Sequence, residues 1–173
     1  MSLSIIFKAM TVAAKAHKGQ IRNYGGEPYI VHPIAVGKLL ATATGDLEVI
    51  AAGILHDTLE DTALTGGEIE KEFGSTVLAL VKEVTKNSTK ADGNRAARRA
   101  KDAEYFGKAS PEGKTIKLAD MADNLKDIAK VSPKFAKLYF KESAALLLKL
   151  KGGSPKLYKK VAELISDYER SVA

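Results

Sequence analysis

The chain has 173 residues, 45% hydrophobic and 28% charged, which predicts one compact domain over residues 1–173 and excludes a disordered or fibrous architecture. No apolar stretch approaches the roughly 18 residues of a spanning helix, and the first residues lack the blocks of a secretory signal, so a cytoplasmic protein without a membrane partner is expected. Lys and Arg number 27 against 21 Asp and Glu, a formal charge of +6 that favours an anionic partner, while 6% aromatics and no Trp argue against nucleic acid.

Helical periodicity then runs through most of the chain. In residues 3–18 the apolar side chains Ile6, Phe7, Met10, Ala13 and Ala14 recur at helical spacing. Residues 19–28, with Gly25-Gly26 and Pro28, read as a loop. Pro33 suits the first turn of a helix carrying Ile34, Val36, Leu39 and Leu40, which Gly45 closes. Asp46 caps a helix expected over 47–61, whose apolar run from Val49 to Leu55 contains the helix-favouring pair Ala51-Ala52. Thr65 and Glu68 form the Thr-x-x-Glu cap of a short helix that ends at Phe73-Gly74. A helix over about 75–85 puts Val77, Leu80, Val81 and Val84 on one stripe. The polar residues 87–94 read as a mobile loop. Residues 95–108 form a charged, Ala-rich helix on which Arg95, Arg98 and Arg99 share one side, more simply a solvated face than a phosphate clamp. Ser110-Pro111 opens a helix carrying Ile116, Leu118, Ala119, Ala122, Leu125 and Ile128 until Ser132-Pro133 breaks it. Residues 135–150 continue in the same style, 151–155 are linker-like, and 156–168 form a docked terminal helix. No segment alternates as a strand does, so the fold class is all-α.

With no cysteine, His and carboxylates are the strong metal ligands left to this chain. His56 and Asp57 end the most apolar helix, with Glu60 and Asp61 close behind. Burying several ionisable groups together costs several kcal/mol each, on the order of what only pairing recovers, and a divalent cation would pair them. His32 lies at the start of a helix, and Asp120 within the apolar stripe of another. Together they make a two-His, two-Asp set drawn from helices that pack around one site.

The segments Ala16-His17-Lys18-Gly19-Gln20-Ile21-Arg22, Pro28-Tyr29-Ile30-Val31-His32-Pro33, Leu55-His56-Asp57-Thr58-Leu59-Glu60-Asp61-Thr62, Phe73-Gly74 and Lys117-Leu118-Ala119-Asp120 through Asn124 resemble the HD-domain metal phosphohydrolases. Within them the chain is most similar to the RelA/SpoT-like alarmone hydrolases. The resemblance covers about residues 5–130, in the family's order. It implies an HD-domain helical bundle holding one divalent cation, Mn²⁺ being expected, through His32, His56, Asp57 and Asp120. The implied reaction is removal of the 3′-pyrophosphate from guanosine 3′,5′-bis(diphosphate), leaving a 5′-nucleotide, with Glu60 and Asp61 jointly as the catalytic pair. Arg22 matches the position that stacks on the base, Asn124 the position near ribose and metal, and Lys117 adds positive charge beside them. His17 is expected behind the site or as a helix cap, and Tyr29 in the core or pocket wall.

Three departures from the family pattern leave that metal set intact. Asn23 stands where Lys is usual, Met121 where Arg is common, and Asp123 where His or an aromatic residue is common. They keep open an adenosine alarmone or another nucleotide pyrophosphate; the further alternatives are an HD enzyme for a nucleoside mono- or triphosphate and a non-catalytic nucleotide- or RNA-binding helical module, against which Glu60 and Asp61 argue.

Overall fold

The computed structural model of the chain describes residues 3–23 and 26–172, and the expectations placed on Met1, Ser2, Tyr24 and Gly25 lie outside the described residues. The helices are α1 (Ser4–Ala16), α2 (Val31–Ala41), α3 (Leu47–Leu55), α4 (Thr58–Asp61), α5 (Gly66–Phe73), α6 (Ser75–Val84), α7 (Arg95–Gly107), α8 (Pro111–Val131), α9 (Pro133–Lys149) and α10 (Pro155–Val172). The only extended pairing among the described residues is one antiparallel bridge between Ile21 and Pro28. No described helix is long and apolar enough to cross a membrane.

The apolar run read from the sequence becomes the centre of the molecule. Asp46 accepts from the amides of Glu48 and Val49 and so starts α3, and every side chain from Val49 to Leu55 is buried. Helices α1, α2, α6 and α8 surround it. Full burial of a side chain such as Ile54 or Leu55 contributes about 1.5–3 kcal/mol. The α2–α3 contact is close because glycines lie in it. A Cβ on Gly53 would fall 2.0 Å from Leu40 Cδ1, and one on Gly37 would fall 2.7 Å from Ile54 Cγ1. That approach brings the first turn of α2 beside the end of α3.

The continuous helix expected over 47–61 is interrupted at His56-Asp57. There the side chains compete for backbone acceptors: His56 Nδ1 lies 2.8 Å from the Gly53 carbonyl, and the Thr58 hydroxyl donates to the Leu55 carbonyl at 2.7 Å. The chain turns, and the Asp57 backbone carbonyl starts α4 by accepting from the Asp61 amide at 2.9 Å. Other expectations shift at their edges. Helix α2 begins at Val31, two residues before Pro33, and α10 runs from Pro155 to Val172. The loop over 87–94 contains a 3₁₀ turn at Lys90–Asp92, and Asp102 of α7 fastens Ser88 through its amide and hydroxyl. Arg95 makes two bonds to Glu142 of α9, at 2.8 and 2.7 Å, and lies 4.8 Å from the Phe135 ring centroid. With Arg99 Nε 3.5 Å from the same carboxylate, these cations tie α7 to α9.

Candidate metal centre

Three stretches of chain converge beside α3. The bridge at Ile21 and Pro28, with the Arg22 amide on the Glu27 carbonyl and the Tyr29 amide on the Gln20 carbonyl at 2.9 Å each, sets the entry to α2. It places Arg22, Tyr29 and His32 together. The turn between α3 and α4 supplies His56 and Asp57. Helix α8 presents Lys117, Asp120, Asp123 and Asn124 on the side that faces them, at the three- and four-residue steps of one helical face.

The four residues of the expected ligand set meet. The rings of His32 and His56 have centroids 5.1 Å apart. His32 Nε2 is 3.2 Å from Asp120 Oδ1 and 3.6 Å from Asp57 Oδ2, and His56 Nε2 is 3.0 Å from Asp57 Oδ2 and 3.7 Å from Asp120 Oδ1. Ligand atoms of His32, His56 and Asp57 lie within 4.8 Å of one another.

The donor set fits a cation. A carbonyl or carboxylate oxygen only accepts, so His56 Nδ1, on Gly53 O, and His32 Nδ1, 2.7 Å from Asp123 Oδ2, carry their protons there. In the neutral rings both Nε2 atoms are then acceptors, aimed at two carboxylate oxygens. His56 Nε2 is buried with no hydrogen-bond partner. Four converging acceptors without a donor among them repel one another unless a positive charge sits between them. The electrostatics favour positive charge at the same point, supplied either by a proton on an imidazole Nε2 or by a cation. Burial by itself would push the His56 imidazole down, but the Asp57 carboxylate, with Asp120, pushes it up to about 10. Burial would likewise raise the Asp120 carboxyl, but the Lys117 ammonium and the two imidazoles hold it well below the usual carboxylate range.

The remaining expected residues stand around this centre. Lys117 Nζ lies 2.6 Å from Asp120 Oδ2 and 4.7 Å from the Phe106 ring centroid, and the Asn124 amide donates to Asp120 Oδ1 at 2.6 Å. Both therefore reach the centre through Asp120. Arg22 is buried and donates to Asp123 Oδ2 at 2.8 Å. Asp61 lies with a carboxylate oxygen 3.5 Å from the Tyr29 hydroxyl, and burial together with Asp57 and Glu60 raises its pKa. His17, buried at the end of α1, bonds Gln20 at 2.7 Å, and Gln20 donates to the Asp61 carbonyl at 2.7 Å.

Sequence reasoning missed three residues. The Tyr29 hydroxyl donates to Asp57 Oδ2 at 2.5 Å, which a reading as pocket wall does not foresee. Lys86 ion-pairs with Glu60, although nothing local to residue 86 marks it. Asp123 stood out as a departure in type, and its two partners appear only in the fold. A cavity of about 370 Å³ lined by Lys117 and Asp120 opens between α7, α8 and α9, with Arg99 and Lys141 in its wall.

Comparison with known proteins adds to this geometry. A family model described as HD domain matches residues 9–150. A mouse protein named guanosine-3′,5′-bis(diphosphate) 3′-pyrophosphohydrolase MESH1 is 34% identical over 170 residues, covering 94% of this chain and 93% of its own. The human protein of that name is 39% identical over 131 residues, covering 74% and 72%. A solved structure of a metazoan ortholog of SpoT, described as hydrolysing ppGpp, superposes with a TM-score of 0.87 at 30% identity, over 97% of each chain.

Proposed function

The chain belongs to the HD domain family, and from that premise we propose that it is a metal-dependent hydrolase of guanosine 3′,5′-bis(diphosphate)-type nucleotides, releasing pyrophosphate from the 3′ position and leaving a 5′-nucleotide. The observation that carries the reading is the meeting of His32, His56, Asp57 and Asp120 as converging acceptors beside Glu60 and Asp61. The relatives named for this reaction, similar over most of the chain, support it. Residues 1–173 act as one domain in this reading. In this reading the setting is cytoplasmic.

The four acceptors would hold one divalent cation, and their oxygen and imidazole character suits Mn²⁺. A divalent ion bound there supplies Lewis-acid chemistry, making water a competent nucleophile near neutral pH and withdrawing charge from a phosphoryl oxygen. The chain's own residues do the rest. His56 and His32 are held in one ring orientation by Gly53 and Asp123. Tyr29 fixes Asp57 through its hydroxyl, and Lys117 and Asn124 fix Asp120. Glu60 and Asp61 jointly orient the attacking water and carry protons to and from the reacting groups. Arg22, nearly enclosed and bonded to Asp123, would meet the base only through the small edge its burial leaves open, while Lys117 and Asn124 shape the ribose and phosphate side through Asp120.

The test is turnover of purified, Mn²⁺-loaded protein with guanosine and adenosine 3′,5′-bis(diphosphates). Pyrophosphate and a 5′-nucleotide are the expected products, and their ratio between the two substrates sets the base preference. No pyrophosphate from either substrate sinks the proposal, and release of free phosphate or triphosphate moves it to another phosphate ester.

A further inference from the structure

We propose that Asp123 is a positioning residue that joins the nucleotide-binding and metal-binding halves of the site through a single carboxylate oxygen. Asp123 is one helical turn from Asp120 on α8 and is buried. Its Oδ2 accepts from His32 Nδ1 at 2.7 Å and from Arg22 Nη2 at 2.8 Å. The first bond fixes the tautomer and ring plane in which His32 turns Nε2 toward Asp57 and Asp120. The second gives a buried guanidinium the counter-charge it requires. Arg22 is only 4% exposed at its side chain, and the other carboxylates near it, Asp127 at 3.6 Å and Glu27 at 3.8 Å, are more distant and more exposed. A neutral aromatic residue at this position makes neither bond in this form, so in this chain the placement of Arg22 is tied to that of a metal ligand.

This inference rests on the reading of His32 as a ligand and of Arg22 as a nucleotide contact, and the two substitutions Asp123→Ala and Asp123→Asn separate its parts. Asn keeps an oxygen that accepts from His32 Nδ1 and Arg22 but lacks the charge; Ala keeps neither. Mn²⁺ affinity, measured by competition with a fluorescent chelator on each purified protein, is expected to weaken about 10–100-fold in Asp123→Ala and much less in Asp123→Asn. In both variants KM rises about tenfold as the buried Arg22 loses its counter-charge, while kcat at saturating metal and substrate falls little in Asp123→Asn. A merely structural role would lower kcat and thermal stability together, with no rescue of metal affinity by Asn, and that pattern overturns the inference. If Asp123→Ala does not fold, Asp123→Asn decides alone: an unchanged KM overturns the coupling. A parent protein that binds no Mn²⁺ overturns the metal reading underneath, whereas a parent that binds it as tightly as Asp123→Ala, with KM unmoved, overturns the role of Asp123 alone.

Discussion

Lys86, two residues past the end of α6, holds Glu60 of α4 twice: its ammonium ion-pairs with Oε1 and its backbone amide donates to Oε2 at 3.4 Å. A carboxylate gripped from both sides keeps one orientation, so Lys86 acts on chemistry through Glu60. Replacing Lys86 by Ala leaves the amide bond and removes the ammonium. The expected result is a fall in kcat on the order of tenfold, small against the ~10²–10⁴ carried by a positioned acid or base. Metal content is unchanged. The pair is partly exposed and screened, so stability moves by no more than about 1 kcal/mol. Steady-state kinetics beside a melting curve check this, and an unchanged kcat would show that Glu60 needs no such support.

Asp57 and Glu60 are three positions apart and are expected to fail in different ways. Asp57 places Oδ2 against both imidazoles, whereas Glu60 points to Lys86. Asp57→Ala removes an acceptor from the centre and should lose both metal and turnover. Glu60→Gln keeps the shape and should retain metal while kcat drops about 10²–10⁴-fold. Metal analysis of the two purified variants separates the roles, and equal metal loss in both contradicts the division.

Much of this was legible because helices repeat. The apolar stripe of α8 frames Asp120, and the apolar run of α3 delivers His56 and Asp57 to its end, so pattern marks these residues as candidates, and the resemblance to the HD-domain hydrolases is what joins them with His32 into one expected ligand set. The break at His56-Asp57 could not. Local propensity there favours a continuous helix, and what stops it is a pair of side chains that take the carbonyls of Gly53 and Leu55. Tyr29 and Lys86 lie outside regular helices and gain their roles from partners 28 and 26 residues away. Asp123 meets His32 and Arg22 across 91 and 101 residues, a relation that no local spacing encodes.

Removal of the ion should be visible without any substrate. Four converging acceptors lose their compensating charge when the cation leaves, and binding to the folded state alone stabilises it by about 2.7 kcal/mol when free ion exceeds Kd a hundredfold. For a chain of this size that corresponds to a Tm about 5–10 °C lower after chelation. Adding Mn²⁺ back should restore both Tm and turnover. Hydrolysis that survives exhaustive chelation contradicts the metal reading directly.

Gly53 links the packing of the core to the geometry of the centre, because its Cα faces Leu40 while its carbonyl accepts from His56 Nδ1. In Gly53→Ala the new methyl falls 2.0 Å from Leu40 Cδ1 and 3.5 Å from Val36 Cγ1, and both side chains are fully buried. Overpacking of this kind costs about 1–3 kcal/mol, offset by about 1 kcal/mol from the better helix propensity of Ala. A net loss of up to about 2 kcal/mol is expected, measured by denaturant unfolding. The clash is relieved by the Leu40 rotamer, by the α2–α3 spacing, or by both, and to the extent that α3 shifts, the Gly53 carbonyl moves with it and His56 loses its fixed ring plane, so Mn²⁺ affinity should fall in the same variant. Shortening Leu40 to Ala in the Gly53→Ala background makes room for the methyl and should recover metal affinity even though it empties part of the core. That recovery, a gain in binding beside a further loss of stability, separates geometry at His56 from general destabilisation, and its absence would mean that α2 and α3 do not set the centre through this contact.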